Sequence, residues 1–101
     1  MAAVWVELLP GLSRDLRQQG LSSVRREVAL NPGETLGQFL ARLAVEQPYL
    51  GQTLWDAGTG ALRPHVQVVL NGRLLAAGQV GQRVLADGDE VVFVPVYAGG
   101  A

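Results

Sequence analysis

Residues 87–95 read Asp87-Gly88-Asp89-Glu90-Val91-Val92-Phe93-Val94-Pro95. Asp-Gly is turn chemistry, because glycine takes up positive φ without a steric penalty. The run after it is apolar on both alternating faces, which predicts a strand over residues 90–94 in the middle of a sheet. Pro95 has no N–H to give to a ladder, so regular pairing is expected to fade there. Residues 96–101, Val96-Tyr97-Ala98-Gly99-Gly100-Ala101, then form an extended exit.

Working outward from that strand, the chain supplies its neighbours. Val4, Val6 and Leu8 alternate within residues 3–9, the period of a half-buried strand, and Pro10-Gly11 ends it. This first strand is expected beside the last one. A second strand is predicted over residues 22–30 through Val24, Val28 and Leu30, with Arg26 on the same side as an exception to the pattern, and Asn31-Pro32-Gly33 closes it as a turn. Residues 12–19 suit a short surface helical turn stopped by Gly20. Val66, Val68 and Leu70 alternate again, Asn71-Gly72 is the preferred two-residue hairpin turn, and residues 73–76 return as a short partner strand.

The clearest helix spans residues 35–47, where Leu36, Phe39, Leu40, Leu43 and Ala44 recur on one face. Thr35 and Gln38 have the spacing of a capping box, and Pro48 disfavours continuation at the other end. Residues 49–64 lack a steady period and are expected to be an irregular connection, with one turn near residues 53–57 and Trp55 as its anchor to the core. A Gly-rich passage through Gly78 and Gly81 leads back to the last strand. Strand, strand, helix, strand, short strand, strand implies an α+β domain, with one mixed sheet of about four to five strands and one main helix packed across one face.

Composition narrows the function. With 101 residues and 49% apolar side chains the chain has the size and the apolar content of one domain with one core. Eight basic and nine acidic residues are scattered along it, so no basic stripe is available to neutralise a phosphate backbone, and nucleic acid is not an expected partner. No apolar run approaches membrane-spanning length, and no basic leader precedes an apolar segment, so a cytoplasmic protein is the default expectation. Cysteine is absent, which removes disulfides, thiolate ligands and a cysteine nucleophile. All eight basic residues are arginine, so no side-chain amine exists for an isopeptide bond or a Schiff base.

Several residues invite a catalytic reading and do not support it. Asp87, Asp89 and Glu90 are expected to solvate and shape a turn rather than hold a metal. His65 has no second histidine or cysteine to complete a metal set and no nucleophile to activate. Gly58-Thr59-Gly60 begins like a phosphate loop but lacks the third glycine, the lysine and a following helix signal. Trp5, Trp55 and Phe39 are assigned to the core or its edge. No nucleophile, base and orienting group assemble, so a stand-alone enzyme ranks last.

The element order, the block Asp87-Gly88-Asp89-Glu90-Val91, the strand Val92-Phe93-Val94-Pro95 and the ending Ala98-Gly99-Gly100 together resemble the MoaD and ThiS family of sulfur carriers. The resemblance covers nearly the whole chain and implies the β-grasp fold of ubiquitin, with residues 1–97 as the domain and residues 98–101 as a flexible tail. It implies a carrier rather than an enzyme. A MoeB- or ThiF-like partner, using ATP and Mg, would adenylate the C-terminal glycine carboxylate, and a sulfur donor would convert the adenylate to a thiocarboxylate on Gly100. Ala98 and Gly99 would carry that group into the partner, and glycine suits a narrow channel because it has no Cβ. Phe93, Val94, Pro95, Val96 and Tyr97 are the expected partner-docking set, with alternating members turned to the core.

Within the family, the longer segments 12–20 and 49–64 look more like the molybdopterin branch, the small subunit of molybdopterin synthase that docks on a MoaE-like large subunit. Ala101 departs from the pattern, because it places the carboxylate one residue beyond Gly100. Either a protease removes it, or it is a cloning remnant, or the chain is not a carrier; the first two are preferred. Carriers for cysteine, thiamine or tRNA thiolation are the same-mechanism alternative, and a non-covalent β-grasp binding module is the alternative of another class.

Overall fold

The computed structural model describes residues 2–9 and 24–96. The expected surface turn at residues 12–19, Tyr97 and the tail Ala98, Gly99, Gly100 and Ala101 lie outside the described residues.

In chain order the elements are β1 (Ala3–Leu8), β2 (Val24–Ala29), α1 (Leu36–Glu46), α2 (Pro48–Leu54), β3 (Trp55–Asp56), β4 (Ala61–Leu62), β5 (Val66–Leu70), β6 (Arg73–Leu74), α3 (Ala77–Val80) and β7 (Glu90–Pro95). Five of the strands form one mixed sheet in the order β2-β1-β7-β5-β6. The last strand is central, as its apolar composition predicts. It runs parallel to β1, with Trp5 opposite Glu90 and Leu8 opposite Phe93, and antiparallel to β5, with Leu70 opposite Val91 and Val66 opposite Pro95. The β5–β6 turn is made by Asn71 at φ 50° and Gly72 at φ 83°, positions that demand the left-handed region.

One face of the sheet is covered. Val4, Val6, Leu8, Val66, Val68, Leu70, Val91 and Phe93 point to that side and meet Leu36, Phe39, Leu40 and Leu43 of α1 in one buried cluster. Phe39 and Phe93 are both fully buried, and a side chain of this size stabilises by roughly 1.5–3 kcal/mol on burial. The helix starts where its capping box predicts. Thr35 Oγ1 accepts from the Gln38 N–H at 3.1 Å, and Gln38 Oε1 accepts from the Thr35 N–H at 3.0 Å. The turn before it is built as expected, with the Glu34 N–H donating to the Asn31 carbonyl at 3.1 Å and Gly33 at φ 71°.

Two expectations are corrected, the irregular connection over residues 49–64 and the place of Trp5. Pro48 ends α1 and also begins α2, where a missing N–H costs nothing at the first helical position. The segment expected to be irregular therefore holds a helix, followed by the two-stranded ribbon β3–β4, with Trp55 buried as its anchor. The Gly-rich passage contains the single helical turn α3. Pairing passes Pro95 by one bond, because the Val96 N–H donates to the His65 carbonyl at 2.8 Å. Trp5 belongs to neither the core nor its edge: it stands on the uncovered sheet face, 37% exposed. Arg26 shares the parity of Val28 on β2 yet is exposed, which an outermost strand of the sheet allows.

Candidate functional site

The exit of β7 fixes where a tail begins. On one side the Leu9 N–H donates to the Phe93 carbonyl at 3.0 Å, and on the other Val96 is held by His65. The chain is thus held by both neighbouring segments up to Val96, which is the root from which residues 97–100 follow. Four residues beyond that root reach at most about 14 Å when extended.

The expected docking set divides. Phe93 is fully buried and serves the core, whereas Val94 and Pro95 are half-buried and Val96 is 37% exposed. Val94 shares the uncovered face of the sheet with residues that sequence reasoning did not select. Val92 and Val69 are opposite one another on β7 and β5, Leu74 is opposite Val69, and Gln67 is opposite Val94. Leu74 is 60% exposed. A signal for this patch existed: β7 is apolar on both faces, yet among the described residues one amphipathic helix covers only one. The two apolar faces predict the central place of β7 correctly, and the half-buried Val92 and Val94 show that its second face also contributes to a surface.

Toward β1 and β2 the same face changes character. Trp5, Glu7, Arg25, Glu27 and Glu90 stand there, with Trp5 directly opposite Glu27 on β2 and Glu90 on β7. The Arg25 guanidinium lies over the Trp5 ring, 4.7 Å from its centroid, and reaches Glu7 at 3.4 Å and Glu90 at 3.3 Å.

The other candidate residues are absorbed by the fold. Asp87 Oδ1 accepts from the Ala3 N–H at 2.9 Å, and Asp89 accepts from the Ala86 N–H at 2.8 Å and from Asn71 Nδ2 at 2.9 Å. Asn71 Oδ1 in turn accepts from the Glu90 N–H at 2.8 Å. These carboxylates hold the start of β7 against β1 and the β5–β6 hairpin, at the far end of β7 from the tail. Gly58 and Gly60 shape the β3–β4 turn, where Asp56 Oδ1 accepts from the Gly58 N–H at 2.9 Å. His65 is exposed, and its backbone carbonyl is the part that the fold uses. An open depression of about 520 Å³ beside α1 is lined by Thr35, Gly37, Gln38, Ala41, Trp55, Gly60, Gly81 and Gln82, which include no titratable group for acid/base work.

The family model for the ThiS family matches residues 9–100. No curated protein sequence matches the chain. Among solved structures, small archaeal modifier protein 1 of Haloferax volcanii superposes with a TM-score of 0.66 at 27% identity, covering 96% of this chain and 100% of that one. The Haloferax volcanii HVO 2177 protein is 31% identical with a TM-score of 0.59, covering 98% of this chain and 89% of its own. A putative molybdopterin converting factor, subunit 1, from Pyrococcus furiosus is 18% identical with a TM-score of 0.59, covering 96% of this chain and 100% of that one, a likeness of fold. A five-stranded sheet with a central last strand, one main helix across one face, and a match that runs through the tail glycines lead to one conclusion: the chain belongs to the ThiS family, with the ubiquitin-like fold of its sulfur carriers.

Proposed function

We propose that the chain carries sulfur on its C-terminal tail, as the MoaD-like small subunit of molybdopterin synthase in molybdenum cofactor biosynthesis. The observation that supports the carrier reading most is the family match reaching Gly100, so that Gly99-Gly100 fall inside the matched region. In this reading a MoeB- or ThiF-like enzyme binds Mg-ATP and joins AMP to the Gly100 carboxylate with release of pyrophosphate. A sulfur donor then displaces AMP and leaves a thiocarboxylate. That group is a nucleophile on a protein handle, and the electrostatics of its transfer belong to the MoaE-like large subunit, into which the tail is inserted. Ala101 has to be removed first, because adenylation needs a free carboxylate on Gly100, and a protease is the partner for that step.

The molybdopterin assignment is supported by the length of segments 12–20 and 49–64. A carrier for cysteine, thiamine or tRNA thiolation is the alternative that shares the same mechanism.

The deciding experiment is intact-protein mass spectrometry of the chain recovered from its own cells. Loss of Ala101 together with replacement of one terminal oxygen by sulfur is the expected result. A chain that keeps its Ala101 carboxylate, and whose form ending at Gly100 is not adenylated by a ThiF-like enzyme with ATP, sinks the carrier reading in favour of a non-covalent binding module. Deleting residues 99–101 gives the same division: a carrier loses function and a sheet-mediated complex does not.

A further inference from the structure

The tail's chemistry makes no use of the Trp5 half of the open sheet face. The outward-pointing aromatic and charged residues described there are Trp5, Glu7, Arg25, Glu27 and Glu90, three carboxylates to one guanidinium. A second observation is independent of that charge count: a guanidinium, that of Arg25, already rests on the exposed Trp5 ring at 4.7 Å. The indole face attracts a cation through its quadrupole. Arg25 is held loosely, because its side chain is 45% exposed and its ion pairs to Glu7 and Glu90 are 3.4 and 3.3 Å long, and exposed pairs of that kind compete poorly with water. The chain therefore presents a cation seat with an occupant that can swing away, and with negative charge left over among the described residues.

We propose that this seat takes a basic side chain, an arginine or lysine, of the protein that docks on the open face, and that this side chain displaces Arg25 from the Trp5 ring. The partner it fits has an apolar patch for Val69, Leu74, Val92 and Val94, with a cation placed to one side. Apolar contact alone leaves the orientation on a flat sheet weakly fixed, whereas an off-centre charge pair sets which way round the two proteins meet. Orientation matters because the tail root at Val96 lies at one end of the sheet and has to face the partner's channel. The identity of the partner as an adenylating enzyme rests on the carrier reading; the seat itself does not.

The test compares the full chain with its Glu7→Gln/Glu27→Gln variant, both ending at Gly100, in binding to a ThiF-like adenylating enzyme with ATP at low and high salt. The expected result is an association rate about tenfold lower at low salt and a flattened salt dependence, with the rate of pyrophosphate release at saturating carrier unchanged. Equal binding by the two chains overturns the seat and leaves the carrier reading standing. If the wild-type chain is not adenylated, the carrier reading fails separately. The seat is then decided by titrating the isotope-labelled full chain with hexa-arginine amide by NMR. Saturating shifts of the Trp5 indole and Arg25 side-chain signals that vanish in the variant support it, and no shifts, or the same shifts in the variant, overturn it.

Discussion

The Arg42 guanidinium closes on the Glu34 carboxylate with two 2.8 Å bonds, Nε to Oε2 and Nη2 to Oε1, where Glu34 is only 6% exposed. Arg42 Nη2 also donates to the Ala29 carbonyl at 2.7 Å, and the Asn31 N–H donates to Glu34 Oε1 at 3.1 Å. One ion pair thereby ties the end of β2, the turn at residues 31–34 and the exposed flank of α1. The Arg42 hydrogen bond is the main reason that the Glu34 carboxyl lies below the ordinary carboxylate range. A depressed folded value means that its stabilisation is fully present above the unfolded value and is lost as pH falls through the folded one.

Arg42→Leu is expected to cost about 3 kcal/mol at neutral pH, because it leaves a buried carboxylate without its cation. The difference from wild type should shrink on acidification, since the variant's Glu34 takes up a proton as the wild-type pair loses its contribution. Urea denaturation across a pH series measures this. A difference that stays constant from neutral to acid pH would falsify the assignment of Glu34 as the titrating group.

Gly51 of α2 is expected to tolerate no side chain. A Cβ there would sit 2.3 Å from the Ala44 nitrogen and 2.4 Å from the Ala44 Cα, both backbone atoms of α1. The two helices would have to separate, and overpacking of this kind typically costs about 1–3 kcal/mol. Gly51→Ala should lower the thermal midpoint clearly, while Gly78→Ala, which meets nothing within 4 Å, should leave it unchanged or slightly raised. Equal midpoints for the two variants would contradict the close α1–α2 contact.

Legibility followed the strength of the local signal. The central place of β7, the β5–β6 turn at Asn71-Gly72 and the α1 cap at Thr35 were all readable, because each depends on residue types whose geometry leaves few choices. The helix α2 was not, since Pro48 reads as a stop for α1 and its role as a first helical residue shows only when the next turn is seen to pack. Gly51 weakened the helical signal further, although it is the residue that lets α2 approach α1. Trp5 was misplaced for a related reason. Its neighbours Val4 and Val6 are buried and the strand alternates, so parity places Trp5 on the opposite face, which the assignment to the core or its edge overlooks. The docking set was legible as a location near the tail and not as a surface, because Val69, Val92 and Leu74 join Val94 only through strand pairing across β5, β6 and β7.

Asp89 is expected to matter for stability and not for sulfur transfer. Its two oxygens accept from Ala86 and Asn71, and its carbonyl accepts from the Trp5 N–H at 2.9 Å. Asp89→Ala removes the two side-chain bonds at the start of β7, a loss of about 1–3 kcal/mol for charge-assisted bonds to groups left partly shielded. The thiocarboxylate yield of the folded variant should match wild type. A folded Asp89→Ala chain that cannot be adenylated would place this cluster in the partner's recognition instead.

Leu74 gives the sharpest separation of docking from folding. It is 60% exposed on the short strand β6, opposite Val69, so it has little packing to lose. Leu74→Ser should therefore change stability by no more than about 0.5 kcal/mol. In a complex the same side chain would be buried beside Val69 at the β6 edge of the apolar half of the open face, where a contact of this kind can carry more than about 1 kcal/mol of binding. Affinity for the adenylating enzyme should fall about tenfold on that basis, with adenylation at saturating carrier unaltered because the tail and its root at Val96 are untouched. Loss of stability equal to the loss of binding would show that Leu74 supports the sheet, and unchanged affinity would move the docking surface away from the open face.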